Sequence, residues 1–88
     1  MHFDIHFLNY ALSINNIKLA ALFTEREGKI RISFRSKGEI DVNVFARTYF
    51  EGGGHRNASG ATSYISLNET IKKFEKSLLD FSAILKNI

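Results

Sequence analysis

The stretch Ile30-Arg31-Ile32-Ser33-Phe34-Arg35-Ser36 decides the fold. Ile30, Ile32 and Phe34 fall on one face, and Arg31, Ser33 and Arg35 on the other. Unbroken alternation with a period of two is the pattern of a half-buried strand. Just upstream, Glu25-Arg26-Glu27-Gly28-Lys29 reads as a turn in which Gly28 supplies the backbone freedom. Before it, residues 17–24 (Ile-Lys-Leu-Ala-Ala-Leu-Phe-Thr) read as a buried strand. Two strands joined by a tight turn predict an antiparallel hairpin. Residues 3–13 mix Phe, Ile, Leu and Tyr with Asp, His and Asn, and read as a short helix or a linker packed on the domain.

Working outward in the other direction, Asp41 is placed to cap a helix, its carboxylate accepting from amides one turn on. Val42, Phe45, Ala46 and Tyr49 then follow at helical spacing, for about two turns. Next comes Gly52-Gly53-Gly54-His55-Arg56-Asn57-Ala58-Ser59-Gly60-Ala61. Three adjacent glycines strip the backbone of side chains, so its N–H groups can converge on an anion. His55 and Arg56 add charge-assisted donors suited to a phosphate. On this reading the glycines form a ligand loop, and Gly53→Val harms binding more than folding because a positive φ is expected there. Residues 61–66 read as a third strand. Ser66-Leu67-Asn68-Glu69 is a capping box, and it opens a helix with Leu67, Ile71, Phe74, Leu78, Phe81 and Leu85 on one stripe. The predicted architecture is α+β in two layers, with a small mixed sheet and the helices on one face. Its order is strand, strand, helix, glycine loop, strand, helix.

The bulk numbers fit one small domain. The chain has 88 residues, 44% of them apolar, with eight Phe and three Tyr to fill a modest core. No cysteine is present, which excludes disulfides, thiolate metal sites and Cys nucleophiles. The N-terminal stretch is too polar for a signal peptide, and no apolar run is long enough to span a membrane, so a cytoplasmic protein without membrane contact is expected. The net charge of +3 is mild. Its distribution says more, because Lys29, Arg31, Arg35, Lys37, Arg47 and Arg56 are opposed only by Glu39, Asp41 and Glu51 between residues 29 and 56. The basic excess thus lies in the segment leading into the glycines. Arg35-Ser36-Lys37 at a strand end offers two cations and a hydroxyl to a phosphate.

Other chemistries fit less well. No P-loop can be written through the glycines, and a dinucleotide fingerprint fails because position 57 is Asn. Asp4, Asp41 and Asp80 are the only aspartates, so a carboxylate-rich metal centre or a Ser-His-Asp set is not expected. His2 and His6 have helical ligand spacing around Asp4, but a terminal tail with two histidines is commonplace. No metal ligand and no catalytic residue is therefore assigned.

Taken together, Phe34-Arg35-Ser36-Lys37, Asp41-Val42-Asn43 with Ala46, and Gly52-Gly53-Gly54-His55-x-x-Ala58-x-Gly60 resemble the C-terminal DHH-associated domain of DHH phosphoesterases. The resemblance runs from about residue 17 to the last helix. The segment Leu8-Asn9-Tyr10-Ala11-Leu12-Ser13 is similar to the entry into this domain in the branch of bifunctional oligoribonucleases and 3′-phosphoadenosine-5′-phosphate phosphatases. One departure is Ser59, where a second Ala is common.

The resemblance implies a linker or short helix over residues 1–16 and the DHH-associated domain over residues 17–88. It implies a role in holding substrate for a manganese-dependent phosphoesterase that hydrolyses short oligoribonucleotides or phosphorylated nucleotides. The substrate-binding residues it implies are Arg35, Ser36, Gly53, Gly54, His55, Arg56 and Asn57. The implied partners are an N-terminal DHH domain carrying Mn²⁺, a phosphorylated nucleotide or short RNA or DNA, and a second subunit in a homodimer. The Asp-His-His signature is absent here, so the chain alone is expected to be inactive and to be cut from a longer one. The alternative is an RNA-binding or assembly module like the C-terminal domain of alanyl-tRNA synthetases, without hydrolysis.

Overall fold

The computed structural model describes residues 4–11 and 18–86. Its elements are β1 (Asp4–Ala11), β2 (Lys18–Arg26), β3 (Lys29–Ser36), α1 (Val42–Tyr49), β4 (Glu51–His55), β5 (Ala58–Ser63) and α2 (Leu67–Lys86). The five strands form one open sheet in the order β1-β2-β3-β5-β4. Every neighbouring pair is antiparallel, so the sheet is not mixed as expected. The cause is local. Two-residue connections join β2 to β3 and β4 to β5, and a chain that reverses so tightly can only pair antiparallel. At the first of these turns Glu27 and Gly28 both have positive φ, 53° and 76°, the geometry that matches the right-handed strand twist.

The β2–β3 hairpin is as the alternation predicts: Ile30, Ile32 and Phe34 are buried, Arg31 and Arg35 exposed. Both helices follow their signals as well. Asp41 Oδ1 accepts from the Val44 amide at 3.0 Å. Ser66 Oγ accepts from the Glu69 amide at 3.1 Å and donates to Glu69 Oε1 at 2.9 Å. On α2, Phe74, Leu78 and Phe81 are buried, with Leu67 and Ile71 packed partly against them; the side chain of Leu85 lies outside those described.

Three expectations about the elements are corrected. Residues 4–11 are a strand and not a helix or linker; their apolar residues lose alternation partway, and pairing with β2 (Leu8 opposite Ala21, Tyr10 opposite Leu19) supplies what the pattern lacks. A His2–His6 pair at helical spacing is accordingly not offered by residues 4–6, while residue 2 lies outside the described residues, as do residues 12–17. The glycine run is not a loop but strand β4. The third predicted strand starts earlier, at Ala58, because the small residues of Ala58-Ser59-Gly60 pair with both β3 and β4.

The glycines are what brings β4 against β5. A Cβ at Gly52 would run into the Gly60 carbonyl oxygen and sit 2.7 Å from Ala61 Cβ. A Cβ at Gly54 would sit 2.7 Å from Ser59 Cα, and Gly54 has φ +154°. Glycine inside a strand often marks such a close backbone approach. At Gly53 the nearest atoms, Asn43 Oδ1 and Arg47 Cγ, would be at 3.3 and 3.4 Å. The positive φ expected at Gly53 thus belongs to Gly54.

The core lies between one sheet face and the two helices. Phe45 is its hub, with ring centroids 5.4 Å from Phe34, 5.7 Å from Phe74 and 5.3 Å from Phe81, and Phe34 lies 5.7 Å from Phe50 and 6.0 Å from Phe74. Two buried hydroxyl contacts tie the layers. Ser59 Oγ donates to the Val42 carbonyl at 2.7 Å, and Ser63 Oγ lies 2.7 Å from Thr70 Oγ1. Ser59, the departure from the common Ala, is therefore a hydrogen-bonded strut.

Candidate functional site

The end of the sheet where β3 finishes and β4 turns into β5 gathers most of the residues singled out in the sequence. Ala58 is the register partner of Arg35 on one side and of His55 on the other. Two cationic or ionisable side chains twenty residues apart thus flank one small residue. Strands lie about 4.8 Å apart, so their Cα atoms are roughly 10 Å from each other, a span that a phosphate and two side chains can bridge.

Arg35 is exposed, on the sheet face away from the helices. Its Nη1 donates to the Phe34 carbonyl at 2.8 Å and, more weakly, to the Ser59 carbonyl at 3.5 Å. These contacts draw the guanidinium across β5 and leave most of its five N–H donors for other partners. It borders a depression of about 140 Å³ shared with Ala20, Leu22 and Ser33. His55 is exposed, and its side chain makes no hydrogen bond among the described residues. Arg56 is also exposed, with Nη2 3.4 Å from the Glu39 carbonyl. Lys37 stands exposed beside them.

Ser36 and Asn57 have a different job. Asn57 Nδ2 reaches Ser36 Oγ at 2.9 Å and the carbonyls of Gly38 and Ile40 at 3.3 Å. Ser36 Oγ donates to the Ile40 carbonyl at 2.7 Å. The backbone joins in, Ser36 N donating to Asn57 O at 3.1 Å and Val42 N to Arg56 O at 2.7 Å. The β4–β5 turn is thereby stitched to the β3–α1 connection. Side chains so engaged position the site; they do not offer free donors to a ligand.

The Gly54 amide is likewise engaged, donating to Asn43 Oδ1 at 3.0 Å. Asn43 is the residue that sequence reasoning missed as a site element. A signal existed: Asn43 and Arg47 stand four apart on α1, on the side away from the apolar stripe, and both lie against Gly53. Among the described residues no group of three or more His, Cys, Asp or Glu could hold a metal ion, and no helix is long and apolar enough to cross a membrane.

Residues 6–80 match the model of the DHHA1 domain family. This chain belongs to the DHHA1 family. The resemblance drawn from the glycine run and the Arg-Ser-Lys element is thus upheld. The domain is 46% identical over 52 residues to the bifunctional oligoribonuclease and PAP phosphatase NrnA of Bacillus subtilis (strain 168), an alignment covering 59% of this chain and 16% of that protein. It is also similar to the crystal structure of an exopolyphosphatase-related protein from Bacteroides fragilis, with a TM-score of 0.74 and 40% identity over 85% of this chain and 22% of that one. The alignments therefore span about a sixth to a fifth of these larger relatives.

Proposed function

We propose that this DHHA1 domain is the substrate-holding half of a phosphoesterase that acts on phosphorylated nucleotides or short oligoribonucleotides. The observation that carries the reading is the placement of Arg35 and His55 on either side of Ala58. Arg35 supplies a planar fork of donors to a phosphate. His55 adds a second donor from the neighbouring edge strand, and Arg56 and Lys37 add positive potential. Ser36, Asn57 and Asn43 hold the two strand ends and the glycine strand in register. The relatives' names, an oligoribonuclease and phosphatase and an exopolyphosphatase-related protein, share phosphate-ester or phosphoanhydride substrates and support the same reading.

The hydrolytic step would fall to a DHH domain outside this chain, where a bound manganese would supply the activation of water. The described residues of this chain do not present a donor set for that ion. What this chain contributes is binding, orientation and charge. Isothermal titration with a nucleoside 5′-monophosphate tests the reading. Arg35→Ala and His55→Ala should each weaken binding by about tenfold, the worth of one charge-assisted hydrogen bond, and the losses should shrink as salt rises. Affinities within twofold of wild type for both variants would refute it.

A further inference from the structure

From His55 the edge strand β4 runs to Glu51, four residues or about 14 Å at strand rise. Exposed cations mark its length. Arg47, on α1, lies against Gly53 midway along. Lys73, on α2, holds its ammonium 4.8 Å from the centroid of the Phe50 ring, next to Glu51. There the strand end opens into a groove of about 250 Å³ lined by Phe50, Glu51, Thr62, Tyr64, Ile65 and Lys73. Tyr64 is 68% exposed and Ile65 45%. Neither belongs to the buried core.

Two cations that reach this edge strand from the helix layer, Arg47 and Lys73, together with His55 at its far end, suit a polyanion. An exposed aromatic ring beside the last cation suits a base that has left the stack, because stacking on aromatic side chains tolerates any base. Glu51 brings a carboxylate to the same groove, which disfavours a bare phosphate and suits a ribose hydroxyl or an exocyclic amine as donor. We propose that the outer edge of β4 is a track for a single-stranded oligonucleotide, running from His55 past Arg47 to a second nucleotide subsite in which a base stacks on Tyr64 beside Lys73. The track rests on the phosphate reading of the Arg35–His55 end and extends it from one nucleotide to several. At about 3.4 Å of rise per stacked nucleotide, 14 Å accommodates about four, or fewer in a stretched strand.

The test compares adenosine 5′-monophosphate with a 5′-phosphorylated adenosine tetranucleotide, titrated into the whole chain. The tetranucleotide should bind more tightly. Tyr64→Ala, at an exposed position, should weaken the tetranucleotide about tenfold and leave the monophosphate within twofold, while Tyr64→Phe keeps the ring and the affinity. Lys73→Gln should lower the salt slope of tetranucleotide binding by about one. Equal affinities for the two ligands, or tetranucleotide binding unmoved by Tyr64→Ala, would overturn the track. So would a self-association that Tyr64→Ala abolishes while oligonucleotide affinity stays unchanged, since the groove would then be a protein interface. Arg35→Ala and His55→Ala separate the two readings: if neither variant weakens either ligand while Tyr64→Ala still weakens the tetranucleotide, the phosphate assignment fails and the Tyr64 subsite stands.

Discussion

Among single residues, Gly52, Gly53 and Gly54 look equivalent in the sequence and differ in the structure. Gly54 carries both a positive φ and a β5 backbone where a side chain would go. Gly54→Ala should therefore cost about 1–3 kcal/mol of folding stability, the order of one strained backbone position. Gly53→Ala meets only side-chain atoms at 3.3 and 3.4 Å and should cost under about 1 kcal/mol. Urea unfolding of both variants checks the order, and equal losses would contradict it. Asn57 is a second such case. Its polarity reads as a ligand donor, yet its amide satisfies the carbonyls of the β3–α1 connection. Asn57→Ala should destabilise the fold by about 0.5–1.5 kcal/mol, the net worth of an ordinary hydrogen bond, a loss visible in thermal melts without any ligand. These two positions show where sequence reading stops: residue type announces a capacity to donate, and only the fold says where that capacity is spent.

At the scale of elements, the strongest periodicities were legible and the weaker ones were not. β3 and α1 follow their patterns because one face of each is buried and the other is wet. β1 was missed because its pattern is set by pairing with β2 and not by its own alternation. β4 was missed because glycine has no side chain to alternate. The two helices are also linked to each other. Tyr49 on α1 donates to Asp80 Oδ2 on α2 at 2.5 Å. Burial, then the hydrogen bond and the negative charge of Asp80, push the Tyr49 phenol up to about 12. An unfolded tyrosine ionises near 10, so the folded state keeps this phenol protonated longer. The stability it contributes is complete below about pH 10 and is lost as pH rises to about 12. Phenolate absorbance should show one of the three tyrosines ionising last, and Tyr49→Phe should remove that late step. The thermal-stability gap between wild type and Tyr49→Phe should narrow across the same interval.

Across the whole molecule, one layer of helices packs on a five-stranded sheet, and Arg31 and Arg35 are exposed on its opposite face. The core needs its phenylalanines: Phe34, fully buried among Phe45, Phe50 and Phe74, should cost about 3–5 kcal/mol when cut to Ala, enough to unfold many domains of this size. That core serves to fix the register that puts Arg35 and His55 beside Ala58. The fold class, the helix layer and the chief cations were readable from the chain. The stitching by Ser36, Asn57 and Asn43 was not, because it depends on contacts between segments distant in sequence.

The most direct measurement is an amide NMR titration of the chain with adenosine 5′-monophosphate. Shifts should concentrate at Arg35, Ser36 and Lys37 and from Gly52 to Ala58, saturating in the ~mM range expected of a few polar contacts. No shift at that concentration, or shifts centred on α2 or on the β2–β3 turn, would contradict the placement of a phosphate site at the Arg35–His55 end of the sheet.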